Sequence, residues 1–221
     1  MRFIIHELPY ERPRLAGQLR YERDGQPTGT VESWRLSDAA DGYRFLRVDL
    51  DAREGESGRS WLYHVTLNPA GQPEQVRARF WEEGREVNLA AVRQDDEWLA
   101  ARQVDGVAYQ DVARGEAFWF PAGSGLALLR SSAGQTRGVT LLTDTSDPAR
   151  LLALVQTPVS IVLGATTTET VGDETLPVQS LSVAWGQSRR TVWLDNDARP
   201  LRLWREDGLT AAAQRLVRYG G

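Results

Sequence analysis

Cysteine and lysine are missing from this chain of 221 residues and histidine is rare, and each of these features excludes a kind of site. No cysteine is present, which excludes disulfides, thiolate nucleophiles and cysteine-ligated zinc. No lysine is present, so a phosphate loop that requires one cannot form. Only His6 and His64 are histidines, and their spacing is not that of a zinc site. We expect no metal, no cofactor and no catalytic residue.

Long apolar runs and clusters of positive charge are also missing. Near the start, only Phe3 to Ile5 form an apolar run, whereas a signal peptide needs about 7–15 apolar residues. This predicts a cytoplasmic protein, although a mature exported form is also compatible. No stretch approaches the roughly 20 apolar residues of a transmembrane helix. The net charge is −4 and the arginines are scattered among carboxylates, which disfavours nucleic-acid binding.

The dominant pattern in the sequence is an alternation of apolar and polar residues with a period of two. Apolar and polar side chains alternate in the segments 43–50, 61–67 and 75–81. Alternation of this kind is typical of strands with one buried face. Short turn signals separate the segments, among them Asp24-Gly25 and Asp207-Gly208. We therefore predict an all-β protein, a single domain over 1–221 built on one curved antiparallel meander, as a half-barrel or open barrel.

One segment, TSDPARLLALVQTP, does not follow this alternating strand pattern. Asp147 can cap a helix, Pro148 suits its first position, and Pro158 ends the run. A helix of about 9 residues that is apolar on nearly every side must be buried to be stable. We predict that it plugs the curved sheet with its apolar residues Leu151, Leu152, Leu154 and Val155. A second short helical turn is predicted within 123–130.

Aromatic residues also occupy the strand face that usually meets water. In TVWLDNDARPLRLW (191–204), Val192 and Leu194 supply one apolar face, whereas Trp193 falls on the opposite one. Burying an aromatic side chain of this size is worth several kcal/mol, about 4–6 for tryptophan as an upper bound. The second face is therefore explained by a closed sandwich, by an aromatic-lined cavity, or by a partner interface.

Of these explanations, the cavity agrees best with an apolar plug against a curved sheet. We predict non-catalytic binding of an apolar or amphipathic small molecule, such as a lipid or glycolipid, on the concave face. Aromatic and arginine side chains would contact its body and its polar head. The predicted ligand-binding residues are Phe45, Trp81, Trp193, Trp204, Arg47, Arg79 and Arg202.

Two other functions stay open at this point. The aromatic face suits a protein–protein interaction module or a homo-oligomer. Paired carboxylates, Asp49 with Asp51 and Asp195 with Asp197, suit a hydrolase that works by general acid–base chemistry.

Three stretches together resemble a known superfamily. They are the meander that begins GQLRYERDGQPTGTVESWRL, the segment SDPARLLALVQTP, and the late run ETLPVQSLSVAWGQSRRTVWLDNDARPLRLW with AAAQRLVRY. Most of the chain thereby resembles the bacterial lipoprotein-carrier-like half-barrels, which include lipoprotein carriers and glycolipid-binding proteins. The resemblance implies a half-barrel with a helical plug that binds and does not catalyse. Carriers of that family are usually exported with a signal peptide or anchored through cysteine, and this sequence shows neither feature. This departure argues against lipoprotein trafficking and favours a cytoplasmic relative of unknown ligand.

Overall fold

One large sheet dominates the computed structural model, which describes residues 9–55, 58–132 and 134–220. The first eight strands are long and follow one another through tight turns. They are β1 (Arg12–Arg23), β2 (Gln26–Asp38), β3 (Arg44–Ala52), β4 (Arg59–Leu67), β5 (Pro73–Glu82), β6 (Arg85–Gln94), β7 (Glu97–Val104) and β8 (Val107–Arg114).

The second part of the chain begins with a short strand and the helix, then returns to long strands. Its elements are β9 (Ala117–Trp119), α1 (Gly123–Ala127), β10 (Gly134–Leu141), β11 (Leu154–Val171), β12 (Glu174–Trp185), β13 (Ser188–Leu194), β14 (Pro200–Arg205) and β15 (Leu209–Arg218). Three 3₁₀ turns accompany them, at Ala40–Gly42, Leu128–Ser131 and Pro148–Arg150.

The order of the strands in the sheet is that of a meander whose first and last strands meet. Over the described residues the order is β8-β7-β6-β5-β4-β3-β2-β1-β15-β14-β13-β12-β11-β10-β9. Neighbours pair antiparallel except β9 and β10, which pair parallel. β1 pairs with β2 on one side and with β15 on the other, so the two chain ends lie in the middle of the sheet. The prediction of an all-β protein built on one antiparallel meander is confirmed.

The sheet curls until its two edges approach each other, without closing into a barrel over the described residues. At the end of β8, the amide of Arg114 donates to Oε1 of Gln156 on β11 over 3.3 Å. Two residues later, the amide of Glu116 donates to the carbonyl of Arg137 on β10 over 2.9 Å. The chain thus crosses from one edge to the other through a very short connection.

Inside the curl runs a segment that we call the plug segment, residues 117–131, which contains β9 and α1. Its side chains are buried on both sides of the chain. Phe118 and Phe120 belong to a core cluster with the inner face of β2–β8, whereas Trp119 and Leu126 belong to a second cluster with β11–β15. The plug segment therefore joins two cores that face each other across the curl.

Aromatic rings fill the first of these cores. The rings of Tyr63 and Phe120 stack with centroids 4.1 Å apart, and those of Trp98 and Phe118 lie 4.6 Å apart. At the second core, a Cβ on Gly138 would lie 2.3 Å from the Trp119 ring, so only glycine leaves room there. Part of the curl is thus solid core.

The predicted plug helix over Leu151 to Val155 is wrong. Asp147 does cap the amide of Ala149, at 3.0 Å, but the turn ends at Arg150. Leu151 and Leu152 enter the first core cluster, and Leu152 adopts a φ of 58°. Leu154 and Val155 then start β11, where they pair with Leu141 and Thr140 of β10. Long-range pairing outweighs local helix signals here.

The second helical prediction, within 123–130, is confirmed, because α1 and the following 3₁₀ turn cover that stretch. The helix inside the curl is therefore α1, and not the longer helix predicted over Leu151 to Val155. None of the helices in the described part of the chain has the length and apolar character needed to cross a bilayer.

Candidate ligand-binding cavities at the two ends of the curl

The seven predicted ligand-binding residues lie on the outer face of the sheet, so the prediction that they line the concave face is wrong. Along each strand their neighbours point inward: Val192 and Leu194 are buried in the core beside Trp193, and Ala78 and Phe80 beside Arg79. None of the seven lines either of the two cavities described below. Register decides which face is inside, and the sequence does not show it.

On the outer face six of these seven residues form arginine–aromatic pairs. The guanidinium carbon of Arg202 lies 5.0 Å from the ring centre of Trp193, its direct cross-strand partner. Arg79 stands 6.0 Å from Trp81, and Arg47 stands 5.6 Å from Phe45. Each arginine covers the face of an aromatic ring, which lowers the cost of exposing that ring to water.

Glu32 of β2 fixes the position of the plug segment. Its carboxylate is fully buried and accepts hydrogen bonds from the amides of Gly123 and Ser124 at 2.9 and 2.8 Å. The hydroxyls of Ser124 and Tyr21 also donate to it, both over 2.6 Å. A carboxylate with four donors has its lone pairs occupied, so Glu32 is an anchor and has no free acceptor for a substrate.

The sequence carried one signal for this anchor. In the alternation of β2, Glu32 stands on the same face as Trp34 and Leu36, so a charged residue occupies an apolar face. A buried charge in such a position needs specific partners. Two of these partners, Gly123 and Ser124, lie 91 and 92 residues further along the chain and could not be identified from spacing.

The first cavity lies between the inner face of β1–β4 and helix α1, at the end of the curl that contains the turn between β4 and β5. Its volume is about 450 Å³, within the usual range for small-molecule sites. Aliphatic and indole side chains form most of the wall. These are Leu15, Trp34, Leu36, Leu46, Leu67 and Leu128.

Three arginines line the first cavity, Arg44 and Arg130 half-buried at its rim and Arg199 buried in its wall, and they differ in their partners. Arg199 donates to the buried carboxylate of Asp195 over 2.5 Å, and Arg130 donates to the carbonyl of Asp195 over 2.8 Å. Arg44 lies against Gly71, which has no side chain to displace it, and makes no hydrogen bond or ion pair with the described residues. The rim therefore offers one uncommitted guanidinium above an apolar wall.

The second cavity opens at the opposite end of the curl, beside the turns β1–β2, β3–β4 and β14–β15. It measures about 230 Å³ and is bounded by Tyr21, Trp61 and Tyr63. Four arginines, one aspartate and three threonines also line it. These are Arg23, Arg59, Arg190, Arg205, Asp144, Thr28, Thr30 and Thr143. Burial raises the pKa of Tyr21 and of Tyr63, so both phenols are protonated at neutral pH.

The paired carboxylates of the hydrolase alternative take different positions. Asp49 and Asp51 lie on β3, where burial and Asp51 raise the pKa of Asp49 to about 6, while hydrogen bonds from Arg53 lower the pKa of Asp51. Asp195 is used by Arg199, and Asp197 pairs with Arg218. Neither pair lies as a whole in either cavity, since only Asp197 lines the first one and none of the four lines the second.

The two histidines offer no metal site in the part of the chain that the structure describes. His6 lies outside the described residues. His64 is on the outer face of β4, its ring 5.4 Å from that of Phe45. Within residues 9–55, 58–132 and 134–220, no group of three histidine or carboxylate side chains could hold a metal ion.

Comparison with known proteins adds nothing to this geometry. The chain matches no protein-family model, no curated protein and no solved structure. The resemblance to lipoprotein-carrier-like half-barrels therefore stays a prediction, and the function must be argued from the cavities.

Proposed function

We propose that the protein binds an apolar or amphipathic small molecule, without catalysis, in the first cavity. The observation that carries this proposal is a cavity of about 450 Å³ between sheet and helix, with a largely apolar wall and a few polar groups that include three arginines. Apolar sites with a few convergent polar groups are the usual form of small-molecule sites. A lipid or glycolipid has this distribution of apolar body and polar head.

The rim supports the orientation of such a ligand. Arg130 and Arg199 are held by the turn after β13, so their positions in the lining of the cavity are fixed. Arg44 has no partner among the described residues and can donate to a polar head. The aliphatic wall made by Leu36 and Leu46 would contact the apolar body.

Titration of a fluorescent fatty probe, together with native mass spectrometry after mild extraction, tests the proposal. We expect saturable uptake by the wild type. Ala127→Phe, which places a ring in the first cavity, should reduce it by about tenfold or more, since several apolar contacts are lost.

Ala212→Phe is the matched control, because Ala212 is exposed on β15, opposite Arg202 on the outer face. It should bind the probe as the wild type does. Saturable uptake that Ala127→Phe leaves unchanged, in a folded variant, would rule out the first cavity as the site.

Self-association through the outer face is a second candidate. Trp204 on that face is 36% exposed, more than a tryptophan usually is without a partner. Light scattering over a range of concentrations tests it: a dimer should appear with the wild type and disappear with Trp204→Arg. A wild-type monomer at all concentrations would exclude this candidate.

A further inference from the structure

Four arginines are buried in the described part of the chain, and they divide by their partners. Arg47 pairs with Glu11. Arg102 pairs with Asp111 at 2.9 Å, and Arg199 with Asp195 at 2.5 Å. The fourth, Arg190 on β13, is only 9% exposed and forms no ion pair with the described residues. This protein therefore neutralises its buried guanidinium groups, with one exception.

Arg190 also has fewer hydrogen-bond acceptors than its donors need. Its Nη1 donates to the carbonyl of Pro121 over 2.6 Å, while its Nε is buried without an acceptor. The ring centre of Trp185 lies 5.3 Å away, which stabilises the cation in part. A guanidinium has five N–H donors, so most of those of Arg190 are unused. An unpaired buried charge costs several kcal/mol, which makes this position unusual.

Charges of both signs act on Arg190, since Arg205 lowers its pKa whereas Glu206 and Asp207 raise it. Arg205 is its cross-strand partner, and burial followed by the charge of Arg205 lowers the pKa of Arg190 to about 10. Arg190 is therefore still a cation at neutral pH. Glu32, the buried carboxylate behind Tyr21, has its donors already in place and does not pair with Arg190.

The other arginines of the second cavity have carboxylate partners. Arg59 pairs with Glu82 at 3.0 Å, and Arg205 pairs with Asp207 at 2.9 Å. Arg23 reaches the same carboxylate of Asp207 at 3.5 Å. They surround the opening with positive charge that is partly neutralised, while the charge on Arg190 at the wall of the cavity is not. The carboxylate of Asp144 also lines this cavity but forms no ion pair with Arg190 among the described residues, so an anionic partner of Arg190 is missing.

We propose that the second cavity binds a small oxyanion, a carboxylate or phosphate group, on the free donors of Arg190. A cavity of about 230 Å³ is below the usual size for a drug-like ligand, which suits a compact group. The hydroxyls of Thr30 and Thr143 line the same cavity and can donate to the anion. This site is separate from the first cavity and does not depend on what that cavity binds.

Isothermal titration at constant ionic strength, in chloride buffer, tests the proposal with three probes. Inorganic phosphate and acetate represent free small anions, and dihexanoyl phosphatidate represents a lipid head group. We expect saturable binding of at least one probe by the wild type. A free metabolite as the source predicts binding of phosphate or acetate, whereas binding of phosphatidate alone identifies a head group.

Two substitutions at Arg190 locate the site. Arg190→Met should abolish saturable binding while the protein stays folded, because the variant removes an uncompensated buried charge. Arg190→Lys should weaken binding by about tenfold or more, since an ammonium replaces the fork of donors. If Arg190→Met does not fold, the lysine variant carries the test. Arg189→Met, at the exposed neighbour of Arg190, should bind as the wild type does.

Two outcomes would overturn the proposal. One is the absence of saturable binding of all three probes to the folded wild type. The other is binding that the folded Arg190 variants leave unchanged.

Discussion

The inner and outer faces of the sheet both carry tryptophan, yet the two sets of side chains do different things. Trp98 on the inner face is 1% exposed and packs against Phe118 of the plug segment. Trp193 on the outer face is half-buried and lies under the guanidinium of Arg202. The same residue type thus fills a core on one face and forms an arginine-covered surface on the other.

This difference shows how an aromatic residue can be placed on a wet face. An arginine from the same or the next strand covers the ring with its apolar stem and its planar cation. The inner rings instead need the plug segment, which is held by Glu32. Stability of the inner face should therefore depend on packing and on one buried anchor, and that of the outer face on weak pairwise contacts.

The largest effect should come from matched truncation of the two tryptophans. Trp98→Ala removes a fully buried ring and leaves a cavity, so we expect the free energy of unfolding to fall by about 3–5 kcal/mol. Trp193→Ala should cost about 1 kcal/mol, because its ring is only half-buried and its main partner is one cation. Urea unfolding measures both. Equal losses would contradict the division between the faces.

Next in size is removal of the charge that holds the plug segment. Glu32→Gln keeps the shape of the side chain but turns half of its acceptor capacity into a donor, facing the amides of Gly123 and Ser124. We expect a loss of about 2–3 kcal/mol. Hydrogen exchange should show the amides of α1 losing protection first.

Glu22→Gln is a suitable control, since Glu22 is exposed on the neighbouring strand β1. It should change the free energy of unfolding by less than about 0.5 kcal/mol. A Glu32→Gln variant as stable as this control would show that the plug segment does not need its anchor.

A pH-dependent effect should appear on the outer face. Burial, followed by the charge of Arg47, lowers the pKa of His64 from 6.5 to about 4. Because the unfolded chain takes up the proton first, the contribution of neutral His64 is complete above pH 6.5 and is lost as the pH falls towards 4. The full loss is about 3 kcal/mol at most, and solvent screening of this half-buried ring reduces it to about 1–2.

Unfolding free energies of the wild type and His64→Gln at pH 7 and pH 4.5 measure this effect. The difference between the two proteins should shift in favour of the variant on acidification. Asp49 acts in the opposite direction, because its pKa is raised to about 6, but it is present in both proteins and cancels. A difference that does not change with pH would show that His64 titrates normally.

The smallest effect should come from a single arginine–aromatic pair. A double-mutant cycle of Arg202→Met and Trp193→Ala should give a coupling free energy of about 0.5–1 kcal/mol, the range for exposed cation–π contacts. Arg202 also reaches Glu169 at 3.5 Å, so Glu169→Gln in the same cycle separates the ion pair from the ring contact. No coupling would show that Arg202 covers the ring without stabilising it.

Alternation and turn residues predict the fold class because they are local signals. Alternating patterns such as 43–50 and 75–81 are strands in the structure, and turns such as Asp24-Gly25 separate them. The helix prediction for Leu154 and Val155 is wrong, because the local sequence does not show that they pair with Leu141 and Thr140 on β10. The sequence also does not say which face of a strand turns inward.

The candidate sites could be predicted far less well. The residues around the first cavity come from β1–β4, from α1 and from the turn after β13, so only the folded chain brings them together. Glu32 and Arg190 each break the apolar pattern of an inward face, which is a signal that a single sequence contains. The role of Glu32 depends on the partners that it binds, and that of Arg190 on having no ion-pair partner among the described residues. Sequence spacing reveals neither.

The pairing of β1 with β15 has a consequence for how the molecule assembles. Until the last strand is made, β1 offers one open hydrogen-bonding edge, and β2–β8 can form a sheet that ends there. The seam joins the most distant parts of the described chain, and contacts of such large sequence separation form slowly. We therefore expect the pairing of β1 with β15 to be the last and slowest step of folding. Until it forms, the open edge of β1 is the part of the protein most prone to pair with a wrong strand.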